Sequence, residues 1–199
     1  MADPASALNI PVLLGSVRRD RVGIRAARLI VDALVTQGHQ PVLVDPMEEQ
    51  LPLLDRMYKE HPKGQAPAGL ERLAELYRRA DGFVIVSGEY NNGIPPALKN
   101  LLDHFLEEYF WRPSAIVCYS AGQYGGVRAA MQLRMTLAEL GMTSIPSIFP
   151  IPRIAQVLDG EGRPLAGAAW SQGRLDRFLA EFFWYARAMK RERAGGTPY

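Results

Sequence analysis

Residues 83–103 read FVIVSGEYNNGIPPALKNLLD, and this stretch decides the fold. Its uninterrupted apolar run at 83–86 predicts a strand that is buried on both faces. A polar turn at 87–93 follows, and Pro95 and Pro96 mark the start of an amphipathic helix. In open α/β sheets, ligands bind at the loops that follow the carboxyl ends of the strands. This loop offers an acid, an aromatic ring, two amides and free backbone groups, which suit a flat heterocycle with polar edges better than a metal or a peptide.

Strand and helix patterns alternate along the rest of the chain. The predicted strands are residues 10–14, 41–44, 83–86, 114–119 and 143–149, and the predicted helices are 22–36, 70–79, 95–105, 127–140 and 171–190. This alternation indicates right-handed βαβ units in a doubly wound parallel sheet with helices on both faces. The flavodoxin-like strand order 2-1-3-4-5 is the leading candidate, and it brings the loops after Leu14 and Val86 into one crevice. The proline-rich segment 46–67 is expected to be an ordered excursion.

Bulk composition limits the class of protein. The 199 residues are expected to form one domain, with segments 1–7 and 192–199 frayed. A net charge of +2, from 23 basic and 21 acidic residues, gives no general argument for nucleic acid or a membrane as a partner. The single cysteine, Cys118, excludes an intrachain disulfide, and the three histidines show no metal-ligand spacing. For the same reasons we expect no bound metal. The N-terminus lacks the basic region of a signal peptide, and no apolar run reaches the ~18 residues of a membrane span, so we expect a cytoplasmic protein.

The loop after the first predicted strand, residues 15–23, reads GSVRRDRVG. A helix that starts behind such a loop presents free N–H groups and a partial positive charge to an anion. Ser16 adds a hydroxyl, and Arg18 and Arg21 add charge and forked hydrogen bonds. Neither a G-x-G-x-x-G nor a P-loop pattern is present, so the loop suits a terminal monophosphate. The alternative is a capped helix with exposed arginines.

The loop after the third predicted strand has two interpretations. Glu89 is a candidate general acid or base, Tyr90 a stacking surface and Asn91 a hydrogen-bonding amide. Alternatively, Asn91 and Asn92 cap a turn against which Tyr90 packs, and Glu89 is structural or solvated. Lys99 and Asp103, four residues apart on the following helix, are expected to pair on its surface.

The loop at 120–126 reads SAGQYGG, and its three glycines allow either close approach of a ligand or a tight turn. Cys118 is expected to be a small core residue rather than a nucleophile. The chain has no H-E-x-x-H and no G-x-S-x-G motif. Ligand-binding loops without visible acid–base residues are most easily explained if a cofactor carries the chemistry.

Three ordered motifs resemble the NADPH-dependent FMN reductase family over roughly residues 8–150: Gly15-Ser16-x-Arg18, Glu89-Tyr90-Asn91 with Pro95-x-x-Leu98-Lys99-Asn100-x-x-Asp103, and Ser120-x-Gly122-x-x-Gly125-Gly126. The family includes chromate, quinone and azo-dye reductases with a flavodoxin-like fold. The resemblance implies an FMN site in which the phosphate is bound by Gly15, Ser16, Arg18, Arg21, Val22 and Gly23. It implies that Gly88, Glu89, Tyr90 and Asn91 hold the isoalloxazine, largely through backbone groups, and that Ser120 and Gly122 flank its other edge. The chain departs from the family at Gly88, where many members have proline, and at Arg21, near which many have a serine or threonine.

The implied activity is a ping-pong cycle in which NAD(P)H reduces FMN at N5 and leaves, and a flavin, quinone, azo dye or metal oxyanion takes the electrons. No side chain is expected to be catalytic. The alternatives are a non-catalytic, redox-responsive flavin-binding or partner protein and a hydrolase or transferase that uses the phosphate loop.

The resemblance also implies a homodimer or homotetramer. The apolar stripe of the helix at 95–105 either contacts the second subunit or only covers the sheet; it consists of Leu98, Leu101, Leu102 and Phe105. Tyr109, Phe110 and Trp111 are candidates to line the partner's flavin site.

Overall fold

The computed structural model describes residues 7–199, which form a five-stranded, all-parallel sheet in the order β2-β1-β3-β4-β5. The strands are β1 (Asn9–Leu14), β2 (Gln40–Val44), β3 (Phe83–Ser87), β4 (Pro113–Tyr119) and β5 (Thr143–Ile151). The predicted fold class and strand order are therefore confirmed. β5 continues two residues beyond its predicted end, which brings Ile151 beside Tyr119 at the carboxyl edge of the sheet.

Seven α-helices lie within residues 7–199. They are α1 (Gly23–Thr36), α2 (Pro46–Glu49), α3 (Ala68–Arg78), α4 (Pro96–Asp103), α5 (Val127–Glu139), α6 (Ile154–Val157) and α7 (Gln172–Ala194). Side chains of β3 alternate between the two faces of the sheet, each of which is covered by a layer of helices. Val84 and Val86 pack with α1 and α7, whereas Phe83 and Ile85 pack with α3, α4 and α5.

Burial of the strands depends on their position in the sheet. Every residue of β3 and β4 is buried, as their apolar sequences predict. β2, at one edge, alternates instead, and Gln40 and Val42 are exposed. An edge strand lies at the border of both helical layers, so its side chains are less completely covered. Pro41 is tolerated there because an edge strand has fewer ladder hydrogen bonds to lose.

The apolar stripe of α4 faces its own sheet. Leu98, Leu101, Leu102 and Phe105 are all buried in the core beneath α3 and α4. The interpretation that this stripe contacts a second subunit is therefore wrong, because its side chains are buried against the sheet of their own chain. Tyr109 is buried in the same core, and Phe110 and Trp111 contact Tyr199 of the same chain.

The last helix is longer than predicted. It ends at Ala194 instead of residue 190, so residues 192–194 of the segment expected to fray are helical. Arg193 donates to the carbonyl oxygen of Trp111 at 2.7 Å, and Lys190 contacts the buried carboxylate of Asp81 at 2.9 Å. These contacts hold the end of α7 against the amino ends of the strands. Apart from Ala7, the N-terminal segment expected to fray lies outside the described residues.

Candidate functional site

The loops after β1, β3 and β4 meet at the carboxyl edge of the sheet. The N–H of Gly15 donates to the carbonyl oxygen of Val86 at 2.9 Å, which joins the first loop to the end of β3. A Cβ at position 15 would lie 3.1 Å from the Leu98 side chain and 3.2 Å from that carbonyl oxygen. Glycine at this position therefore lets the first loop approach both β3 and α4.

Two hydroxyl groups link the first loop to the loop after β3. Ser16 is only 2% exposed, and its Oγ lies 2.9 Å from the phenolic oxygen of Tyr90. The backbone N–H of Arg18 also donates to this Ser16 oxygen, at 3.4 Å. The structure thus brings together Ser16 and Tyr90, which sequence analysis assigned to opposite ends of one ligand.

Tyr119, the last residue of β4, lies between these loops. A Cβ at Gly23 would be 2.0 Å from the Tyr119 hydroxyl oxygen, and one at Gly88 would be 3.1 Å from the same ring. Gly23 and Gly88 do not have the left-handed φ that favours glycine. They provide space for Tyr119, and this explains why a proline at position 88 would be crowded here.

Arg18 and Arg21 differ in how their side chains are used. The Arg21 guanidinium pairs with both carboxylate oxygens of Asp45, with Nη1 2.5 Å from Oδ1, and donates to the Ser16 carbonyl oxygen at 2.7 Å. The Arg21 guanidinium, a predicted phosphate ligand, is thus already engaged within the chain. Arg18, by contrast, is exposed, and within residues 7–199 its guanidinium forms no ion pair.

The first turn of α1 has free backbone donors. Val22, at its N-cap, makes no side-chain capping hydrogen bond, and the turn contains no acidic residue. A helix N-terminus of this kind favours an anion, and the exposed charge of Arg18 lies in the loop that precedes it.

Glu89 caps a neighbouring helix. Its Oε2 accepts hydrogen bonds from the backbone N–H groups of Arg128 at 3.0 Å and Ala129 at 3.2 Å. Its Oε1 lies 3.3 Å from the Arg128 guanidinium. The carboxylate thereby satisfies donors in the first turn of α5, whose N-cap residue, Gly126, has no side chain. Of the two interpretations of Glu89, the contacts favour the structural one.

Residues 90–93 form a tight turn. The N–H of Tyr90 donates to the carbonyl oxygen of Gly93 at 3.1 Å, and the reverse bond is 2.9 Å. Asn91 and Asn92 have φ values of 49° and 67°, a left-handed conformation that asparagine tolerates better than most residues. Arg128 donates to the side-chain oxygen of Asn92 at 3.2 Å, so the turn is fastened to α5 and Asn91 remains exposed.

The hydroxyl of Ser120 shapes its own loop. It donates to the carbonyl oxygen of Gly122 at 2.8 Å and accepts from the N–H of Gly125 at 2.8 Å. Gly125 and Gly126 have left-handed φ values of 65° and 79°. A Cβ at Gly122, however, would meet no heavy atom within 4 Å. The backbone at Gly122 therefore borders open space, whereas the Ser120 side chain is occupied within the loop.

The model of a family described as NADPH-dependent FMN reductase matches residues 8–156. The chain belongs to this family. It is therefore an oxidoreductase that depends on NAD(P)H and FMN.

Named relatives cover most of this FMN reductase family member. A quinone reductase from Escherichia coli (strain K12) is 29% identical over 189 residues, which cover 92% of this chain and 96% of the relative. An NADPH azoreductase from Bacillus sp. (strain OY1-2) is 29% identical over 133 residues, covering 66% of this chain and 72% of the relative. The structure of FerB, a flavoenzyme NAD(P)H:(acceptor) oxidoreductase from Paracoccus denitrificans, matches with a TM-score of 0.71 at 18% identity and covers 93% and 98% of the two chains. That likeness shows the shared fold.

The groups at this crevice are chemically suited to FMN. Around the start of α1 they are a first turn without a capping side chain, the Ser16 hydroxyl and Arg18, whose guanidinium forms no ion pair within residues 7–199. Around the ends of β3 and β4 they are the turn at 90–93 and the backbone at Gly122, which borders open space. No group of three or more His, Cys, Asp or Glu side chains within residues 7–199 is arranged to hold a metal ion. In the same range, no helix combines the length and hydropathy needed to cross a bilayer.

Two residues of this crevice, Tyr119 and Asp45, had no predicted role in ligand binding. Tyr119 was assigned only to a strand, although it directly precedes Ser120 at the carboxyl end of β4, and that position was an available signal. Asp45 directly follows the predicted strand 41–44, and its pairing with Arg21 has no local sequence signal because the two residues are 24 positions apart.

A cavity of about 310 Å³ opens beside the crevice, between the first loop, α2 and α4. Asn100 on α4 orders one wall, because its side chain donates to the carbonyl oxygen of Pro52 at 2.8 Å and accepts from the N–H of Leu54 at 2.9 Å. The segment 46–67 is thus anchored to α4 by Asn100. Lys99 and Asp103 form the predicted surface ion pair.

Proposed function

We propose that this chain passes electrons from NAD(P)H to a small acceptor by a ping-pong cycle, with a flavin, quinone, azo dye or metal oxyanion as the acceptor. The convergence of three ligand-binding loops on one crevice carries the proposal. In that crevice the Ser16–Tyr90 hydroxyl pair joins two of the loops, and the first turn of α1, which follows the first loop, has no capping side chain. The quinone reductase and azoreductase among the relatives support these acceptor classes.

The phosphate end of the proposed FMN site is the loop at 15–23. Its contribution is electrostatic, because backbone N–H groups of α1 and the guanidinium of Arg18 complement a dianion. Arg21 contributes indirectly. By pairing with Asp45 and donating to the Ser16 carbonyl oxygen, it fixes the conformation of this loop.

The flavin end is formed by the segments at 88–91 and 120–122. When bound, FMN would supply the redox chemistry, namely hydride uptake from NAD(P)H and electron delivery to the acceptor. The chain supplies position and shape. The turn at 90–93, fastened to α5 through Asn92, holds one edge, and the backbone at Gly122 offers the other. We assign no acid–base step to Glu89, because its carboxylate caps α5.

The test is an anaerobic titration of the purified protein with NADPH and, separately, NADH. We expect a protein that carries or takes up FMN, whose flavin absorbance bleaches on addition of nicotinamide and returns when a quinone is added. The two titrations also determine which nicotinamide is preferred. A protein that fails to take up FMN would rule out the proposal. Bound FMN without turnover would instead support the non-catalytic flavin-binding alternative.

We also propose that the chain forms a homodimer or homotetramer in the cytoplasm. The resemblance to the family supports the oligomer, and a need for NAD(P)H supports the location. Light scattering of the purified protein tests the first point, and cell fractionation tests the second. A monomer at micromolar concentration would contradict the proposed oligomer.

A further inference from the structure

We propose that the phenolic hydroxyl of Tyr119 is a hydrogen-bond donor to the phosphate of FMN. This inference rests on the proposed function, because it assigns a further ligand to the same site. It adds a contact from the end of β4 to a phosphate site that sequence analysis built only from the loop after β1.

The position of the hydroxyl is the first observation. A Cβ at Gly23 would lie only 2.0 Å from the Tyr119 oxygen, so this oxygen stands directly beside the first residue of α1. That first turn has no capping side chain at Val22. An anion at these backbone N–H groups would therefore lie close to the Tyr119 hydroxyl.

The second observation is how the ring is held. Tyr119 is 6% exposed, and its ring passes Gly88 as well as Gly23. A Cβ at Gly88 would lie 3.1 Å from the ring carbon that carries the hydroxyl. Packing on both sides fixes the direction of the hydroxyl before a ligand arrives, which lowers the entropic cost of the contact.

The third observation is the chemistry around the oxygen. Burial raises the pKa of Tyr119 to about 12, although the Ser16 hydroxyl and the charges of Arg21 and Arg18 act in the opposite direction. The phenol therefore keeps its proton at neutral pH and is able to donate a hydrogen bond to a phosphate oxygen. The Ser16 hydroxyl already forms a hydrogen bond with the Tyr90 hydroxyl. The Tyr119 hydroxyl would therefore add a hydrogen-bond donor for phosphate at this end of the crevice.

The test uses the Tyr119→Phe variant, which keeps the ring and its packing and removes only the hydroxyl. Binding of FMN and of riboflavin, which lacks the phosphate, is measured by quenching of flavin fluorescence in wild type and variant. We expect the variant to bind FMN about tenfold more weakly, the loss typical of a hydrogen bond to a charged group. We expect its riboflavin affinity to stay within about twofold of wild type, because riboflavin makes no phosphate contact.

Tyr124→Phe is the matched control. It removes a phenol from the loop that follows Tyr119, but Tyr124 is exposed and its ring lies over the guanidinium of Arg128 on α5. We expect the control to bind both flavins as wild type does. Thermal unfolding of all three proteins checks that Tyr119→Phe remains folded.

Three outcomes would overturn the inference. If Tyr119→Phe binds FMN as tightly as wild type, or more tightly, the hydroxyl is not a phosphate ligand, while FMN binding by wild type leaves the proposed function standing. If FMN and riboflavin weaken equally, the hydroxyl acts through the shape of the crevice. If wild type binds neither flavin, the proposed function fails as well.

Discussion

Nη1 of Arg21 lies 2.5 Å from Oδ1 of Asp45, and this pair joins the loop after β1 to the start of α2. The Asp45 side chain is 3% exposed and that of Arg21 is 14% exposed, so solvent screens their attraction only weakly. Asp45 also accepts from the N–H of Met47 at 2.9 Å, while Arg21 donates to the Ser16 carbonyl oxygen. One ion pair thus fixes two segments beside the crevice.

Replacing Asp45 with asparagine should therefore weaken both the fold and the cofactor site. We expect Asp45→Asn to lower the free energy of unfolding by about 2 kcal/mol, since a charge-assisted pair is lost and a largely buried guanidinium remains without it. FMN should bind more weakly because the Ser16 loop is less well fixed. Urea unfolding and a fluorescence titration measure the two effects.

Asp103→Asn is the matched control for Asp45→Asn. It breaks the pair with Lys99, whose side chain is 48% exposed, and should cost less than about 1 kcal/mol. Tighter FMN binding by Asp45→Asn would contradict the positioning role, because it would mean that the released Arg21 guanidinium binds phosphate itself.

Arg18 is expected to act on the ligand directly. Replacing Arg18 with alanine should weaken FMN binding by about 1.5–3 kcal/mol, the range for a hydrogen bond to a charged group. Arg19→Ala removes an adjacent exposed arginine and should leave the affinity near that of wild type. Riboflavin binding by Arg18→Ala should be almost unchanged. Equal FMN affinity in the two variants would identify Arg18 as a solvated residue of the helix start.

Glu89 should matter more for the stability of the chain than for proton transfer. We expect Glu89→Gln to lower the free energy of unfolding by about 1 kcal/mol, because a neutral amide caps the N–H groups of α5 less well than a carboxylate. Glu75→Gln, at an exposed pair with Arg79, should change it by less than about 0.5 kcal/mol. Thermal denaturation compares the two. If Glu89→Gln were as stable as wild type but its pH–rate profile had lost one ionisation, the acid–base interpretation of Glu89 would be supported instead.

Cys118 should be unreactive in the folded protein. The side chain is fully buried, and burial raises the pKa of its thiol to about 12. Since the thiolate is the nucleophile, the native protein should resist iodoacetamide at pH 8.5 and react only after unfolding. The raised pKa also has a consequence for stability. As pH rises above the ordinary thiol pKa, the unfolded chain releases this proton first, so the contribution of Cys118 to stability should fall.

A mass-spectrometric time course of alkylation tests the prediction for Cys118. The labelling rate should rise with urea in parallel with unfolding. Rapid labelling of the native protein would show that the end of β4 opens to solvent, and it would remove the case for a rigidly held Tyr119.

The amino-acid sequence by itself determined the architecture. Apolar runs such as residues 83–86 and helical patterns such as 127–140 follow from local periodicity, and their alternation leaves few topologies. The same order places the loops after Leu14, Val86 and Tyr119 at one edge of the sheet, because all five strands are parallel. The meeting of these loops, where we propose the FMN site, was therefore readable from the sequence.

Tertiary structure alone decided how individual side chains are used. Arg21 pairs with Asp45 across 24 residues, and Glu89 caps α5 across 39 residues. Tyr119 fills the space that Gly23 and Gly88 leave open. These relationships depend on the distances between packed elements, which local propensity and periodicity do not encode. For that reason the sequence indicated which loops meet, and only the packed structure showed which of their polar groups remain available to a ligand.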